Sequence, residues 1–138
     1  MGTETTTAPG AWITIQFGDA DAALGYLVGV IGFVEHAVYR GEDGAIQHAE
    51  LLWPTGGGMM MGVDRGEERW SGSAGAPGTQ SSYLCTPDVA GVARRVADAG
   101  WRIIRPLADA EGYESREIAF LDPEGNAWSV GTYAGKGF

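Results

Sequence analysis

The chain has 138 residues, 9 Lys+Arg against 18 Asp+Glu for a net charge of −9, one cysteine and two histidines. These counts fit one domain. They exclude an intramolecular disulfide, a cysteine-rich zinc site and a three-histidine metal centre within one chain, and the acidic balance argues against nucleic-acid or anionic-membrane partners.

Residues 1–9 are polar and Thr-rich and read as a mobile tail, without the basic start of a secretory signal. Trp12 to Phe17 alternates around Ile13, Ile15 and Phe17, the pattern of a strand. Asp19 is placed to N-cap a short helix over Ala20 to Val30, ended by Gly32. Strands are predicted at Phe33 to Arg40, Ile46 to Trp53 and Gly58 to Val63, separated by an Asp43-Gly44 turn and a Pro54–Gly57 turn. Residues 64–79 are rich in Gly and Ser and form a long connection, a functional lid or a plain linker. The order then recurs: a strand at Ser81 to Thr86, a helix from Val89 to Ala99 capped by Asp88, and strands at Trp101 to Arg105, Arg116 to Leu121 and Ala127 to Tyr133. The longest mostly apolar run, Ala22 to Val34, is too short to span a membrane. The lone cysteine and the missing signal make the cytoplasm the expected compartment.

The recurrence has a fixed offset of 69 residues, half the chain length. Asp19 matches Asp88, Leu52 matches Leu121, Pro54 matches Pro123, Gly56 matches Gly125 and Gly62 matches Gly131. Self-similarity at a fixed period sets architecture before any local reading does. The chain is therefore expected to be α+β: two βαβββ modules, 10–63 and 80–138, forming one domain over 10–138.

Two such modules, with DPEGNAWSVG at 122–131, GDADAALGYLVGVIGF at 18–33 and IQHAELLW at 46–53, resemble the vicinal oxygen chelate superfamily. This is the group of glyoxalases, bleomycin-resistance proteins and dioxygenases, and the likeness extends to its PhnB-like branch. The resemblance implies a curved mixed sheet around a concave cavity, helices on the outer face, and a homodimer with pockets between chains. In metal-dependent members, ligands stand at positions that correspond here to Trp12, Met60, Ser81 and Ser129. Indole, thioether and two hydroxyls are poor partners for a hard divalent cation. No metal and no other cofactor are therefore expected.

Strand alternation assigns Trp12, Thr14, Gln16, His48, Glu50, Met60, Ser81, Tyr83, Glu117 and Ser129 to the concave face. Flat aromatic surface with a few polar groups is the usual composition of a small-molecule site. Trp12 stacks a ring or serves as a core or interface residue. His48 and Glu50 form an acid–base pair, a partial metal site or structural hydrogen bonds. Trp70, in the Gly-rich connection, covers the cavity or buries itself against a partner. Cys85 reads as a small buried residue rather than a nucleophile. His36 faces the other side of its strand, and Arg94 and Arg95 read as solvated helix surface.

The leading expectation is a metal-independent binding protein, similar to bleomycin-resistance proteins. It would sequester an antibiotic or metabolite, cationic or aromatic, with Glu50 and Glu117 meeting the charge. The alternative is a superfamily lyase, isomerase or dioxygenase with a non-standard His48/Glu50 site, joined by Glu117, acting through a divalent metal or as acid and base. A third reading is an interaction module whose cavity its own side chains fill.

Overall fold

Ile15 and Phe17 are buried on either side of Gln16, and Thr14 before them is exposed, as alternating faces of a strand require. A computed structural model describes residues 8–69 and 75–138. Trp70 and residues 1–7 of the expected tail lie outside the described residues.

The first module runs β1 (Trp12–Phe17), α1 (Ala20–Tyr26), a π-helical turn (Leu27–Ile31), β2 (Val34–Arg40), β3 (Ile46–Leu52) and β4 (Gly58–Val63). A 3-10 turn follows at Gly66–Glu68. The second module runs β5 (Ser81–Cys85), α2 (Val89–Asp98), β6 (Ile103–Asp109), β7 (Arg116–Leu121) and β8 (Ala127–Gly131). Each module makes one four-stranded mixed sheet, ordered β1-β4-β3-β2 and β5-β8-β7-β6. The outer pairs β1–β4 and β5–β8 are parallel and the rest antiparallel. The α+β fold of two βαβββ modules is present as expected.

The repeat holds at the level of register. Thr14 pairs with Met60, which pairs with Glu50; Tyr83 pairs with Ser129, which pairs with Ala119. The caps repeat too: Asp19 accepts the Ala22 N–H at 3.1 Å and Asp88 the Gly91 N–H at 3.0 Å. Each satisfies one of the orphan donors of a helix start.

Three local expectations are corrected. The helix expected over Ala20 to Val30 widens after Tyr26 into the π-helical turn, which buries Leu27 and Ile31 fully. Arg95 is not solvated surface like its exposed neighbour Arg94. It crosses between modules and donates to the carbonyls of Val30 (2.8 Å) and Ile31 (3.3 Å), which the end of the helix leaves without partners. The strand expected at Trp101 to Arg105 begins at Ile103 and continues to Asp109. The strand runs through Pro106 because β6 is an edge strand whose register shifts between Arg105 and Ala108. An edge with an irregularity is where a sheet tolerates proline.

One hydrophobic core joins the modules. Phe33 of the first packs edge-on against Trp53 of its own half (centroids 5.0 Å) and Trp128 of the other (5.8 Å). Tyr26 does the same toward Phe17 (6.4 Å) and Trp101 (5.2 Å). The Asp-Pro-x-Gly-Asn turn anchors this region. Asp122, 4% exposed, accepts from the N–H groups of Glu124 and Asn126, the Asn126 amide and the Trp128 indole. A buried carboxylate with this many donors is satisfied rather than costly.

Candidate functional site

The helices cover one face of each sheet, which leaves the alternate residues of β1, β3, β5 and β7 on the other. In the second module that face carries a pocket of about 630 Å³ lined by Ser81, Tyr83, Glu117 and Ser129, with Ser82, Arg105, Tyr113 and Tyr133. Glu117, on its wall, is held by two hydroxyl groups. Its Oε1 accepts the Tyr113 hydroxyl at 2.7 Å and its Oε2 the Ser115 hydroxyl at 2.9 Å. Ser115 Oγ also accepts the Tyr133 N–H at 3.2 Å, and Tyr83 donates its hydroxyl to the Tyr133 carbonyl at 2.6 Å. The rings of Tyr113 and Tyr133 stand edge-to-face, 5.7 Å apart.

A missing side chain makes room for this cluster. Gly131 faces Glu117 across β7–β8, and a Cβ there would lie 2.8 Å from both Glu117 Cγ and Tyr83 Oη. The bare backbone lets a carboxylate and a phenol cross over the strand. Burial, the Cys85 thiol and the Glu117 carboxylate raise the Tyr83 pKa above its ordinary value. The Tyr113 pKa is also raised, first by its hydrogen bond to Glu117. Both phenols therefore stay neutral donors through the physiological range. A carboxylate ringed by phenols offers a cation both charge and aromatic faces.

The first module's face carries Thr14, Gln16, His48, Glu50 and Met60, which line neither this pocket nor a second one between the modules. His48 Nε2 and Glu50 Oε2 are 3.0 Å apart, and the Tyr39 ring lies tilted beside the imidazole at 5.7 Å. Gln16 lies over Gly62, the counterpart of Gly131. Glu117 does not join the His48–Glu50 pair within the chain: among the described residues no three His, Cys, Asp or Glu side chains stand close enough to share one cation. Trp12 lines the second pocket, of about 590 Å³, whose wall includes Tyr83, Tyr133 and Cys85. Cys85 is half-buried, its thiol 3.7 Å from the Thr132 carbonyl. His36 is exposed.

Thus Ser81, Tyr83, Glu117 and Ser129 come together, Trp12 meets Tyr83 in the pocket between modules, and the other described candidates form a separate face. Sequence reasoning left out Tyr113 and Arg105. Tyr113 lies in the polar stretch Ala110–Ser115, and an aromatic ring there was the available signal. The four positions that carry metal ligands in metal-dependent relatives, Trp12, Met60, Ser81 and Ser129, present indole, thioether and hydroxyl groups. That donor set does not fit a hard divalent cation.

Two βαβββ modules sharing one core, with small-molecule-sized pockets on and between their sheets, define the architecture. The chain belongs to the glyoxalase/bleomycin resistance protein/dioxygenase superfamily, whose family model matches residues 11–130. TioX from Micromonospora sp. ML1 is similar at 28% identity and a TM-score of 0.68, over 88% of this chain and 98% of that one. TnmS3, an antibiotic binding protein from Streptomyces sp. CB03234, shares the fold at 19% identity and a TM-score of 0.63, over 94% and 97%. A glyoxalase/bleomycin resistance protein from the same Streptomyces strain does so at 21% identity and 0.63, over 86% and 96%. No curated protein sequence matches the chain.

Proposed function

We propose that this is a metal-independent small-molecule binding protein that sequesters an antibiotic or metabolite bearing a cationic group and an aromatic ring. The observation that carries this reading is Glu117, held by the Tyr113 and Ser115 hydroxyls in a pocket also lined by Tyr83 and Tyr133. The carboxylate supplies charge, the phenols supply cation–π faces, and the pocket volume suits a drug-sized ligand. The description of TnmS3 as an antibiotic binding protein agrees with this reading.

The binding unit in this reading is a homodimer. Thr14, Gln16, His48, Glu50 and Met60 line neither pocket in the single chain, and a second copy related by two-fold symmetry would cover both open sheet faces equally. No helix among the described residues is long and apolar enough to cross a membrane, and the cytoplasm is the compartment this reading assigns.

Titration calorimetry with cationic aromatic antibiotics tests the proposal. Binding is expected in the wild type and is expected to weaken at least about tenfold, or about 1.4 kcal/mol, in Glu117→Gln. Equal affinity in the two proteins would overturn the role of Glu117. The 3.0 Å contact between His48 and Glu50 favours a second reading, an enzyme using that pair as acid and base or as part of a metal site. Near-stoichiometric divalent metal in purified protein, lost in His48→Ala, would select that reading over the first.

A further inference from the structure

The two modules meet along two seams related by the internal repeat, and the seams are built differently. At one, Gln80 donates its side-chain amide across the modules to the Thr14 carbonyl at 2.7 Å, while Asn126 Oδ1 of its own module holds its backbone N–H at 3.1 Å. Gly78 lies directly against the Glu124 carbonyl on the same side. The offset of 69 places Ala11 where Gln80 stands and Gly57 where Asn126 stands. Neither has a side chain that can make the latch, and the pocket of about 590 Å³ occupies that second seam.

The lining of this pocket is distinctive for so acidic a chain. Trp12, Phe33, Trp53, Tyr83 and Tyr133 supply aromatic surface, and none of its lining residues among the described ones is charged. Several polar groups on the wall are already engaged. The Trp53 indole and the Thr55 hydroxyl both donate to the Cys85 carbonyl at 2.7 Å, and the Tyr83 hydroxyl is held by the Tyr133 carbonyl. Trp12 is seated against Gly58, where a Cβ would approach its ring to 2.7 Å. Gly56 and Gly57, at φ of 129° and 77°, carry the turn across the mouth with open space beyond their Cα atoms.

We infer that this open seam is a binding site for an uncharged, planar aromatic molecule or ring, distinct from the Glu117 pocket and separated from it by Tyr83 and Tyr133. An apolar cavity without charge and with few free polar groups selects a flat, neutral guest. The inference goes beyond the reading of the Glu117 pocket and does not depend on it.

The test uses the uncharged fluorophore N-phenyl-1-naphthylamine with the full chain. Fluorescence enhancement is expected on binding, with Cys85 alkylation by N-ethylmaleimide slowed at saturating probe. Ala11→Gln restores at this seam the side chain that fills the other, and is expected to weaken the probe at least about tenfold without lowering the melting temperature. Ala11→Phe is expected to abolish binding. Glu117→Gln is expected to leave probe affinity within about twofold. Probe binding unaffected by either Ala11 variant would overturn the inference, as would loss of probe in Glu117→Gln. Absence of fluorescence enhancement with the wild type would overturn it too. Loss of cation binding alone, with the probe still bound, would fail the proposed function and leave this site standing.

Discussion

Glu124 of the second module reaches Gly18 of the first, its Oε1 accepting the Gly18 N–H at 2.7 Å while its Oε2 accepts the Asp19 N–H at 2.9 Å. The pair joins the turn after β7 to the start of α1. A carboxylate at a helix start gains from both the hydrogen bonds and the helix dipole. Glu124→Ala is expected to lower stability by about 1–2 kcal/mol, read from urea unfolding. Glu124→Gln, which keeps an acceptor, should lose less. An unchanged midpoint in Glu124→Ala would show that solvent replaces the clamp without cost.

The absence of a side chain at Gly131 underlies the Glu117 pocket. Gly131→Ala places a methyl group 2.8 Å from Glu117 Cγ and Tyr83 Oη. One or both must move, at a cost of about 1–3 kcal/mol. The variant should remain folded by circular dichroism yet lose cation affinity as Glu117→Gln does. Full affinity in Gly131→Ala would show that the cluster repacks freely.

Tyr26 makes the opposite case. Its hydroxyl is buried without a hydrogen-bond partner among the described residues. Burial first, then the Asp122, Glu124 and Asp19 carboxylates, raise its pKa far above the ordinary phenol value. Tyr26→Phe keeps the edge-on contacts with Phe17 and Trp101 and removes an unsatisfied polar atom. Stability should be unchanged or rise by about 1 kcal/mol, measured by thermal denaturation. A marked fall would reveal a bound water or partner at the hydroxyl.

Alkaline titration addresses Tyr113. Because its hydrogen bond to Glu117 raises its pKa, the neutral phenol is favoured in the folded chain. Its stabilising contribution is fully present below the ordinary tyrosine value of about 10 and is lost as pH rises through the raised folded value. Ultraviolet titration of Glu117→Ala should show the phenolate phases of Tyr113 and, to a lesser extent, Tyr83 moving to lower pH than in the wild type. Superimposable curves would show that the bond does not hold Tyr113 neutral.

Much of the architecture was written in punctuation. Asp19 and Asp88, Gly32 and Gly100, and the two Pro-containing turns mark where backbone geometry leaves few choices, so the order of elements in the two modules follows from spacing. Elements governed by distant contacts were not legible. Arg95 reads as an ordinary surface residue until folding brings the carbonyls of Val30 and Ile31 within its reach. The extension of β6 past Pro106 depends on its place at a sheet edge. The candidate site was legible to the same degree. Alternation identifies which residues share a face of a strand, and it assembled Ser81, Tyr83, Glu117 and Ser129. It cannot tell which faces meet, nor that the stretch before β7 folds Tyr113 onto Glu117.

Glu117 stands in the second module where His48 stands in the first, each opposite a glycine, Gly131 or Gly62. The same structural slot thus tolerates an acid or a base without change to the scaffold around it. A duplicated chain of this kind can retune one half by single substitutions while the other preserves the shared core. New preferences among small molecules are then a matter of exchanging residues at prepared positions, not of inventing a new architecture.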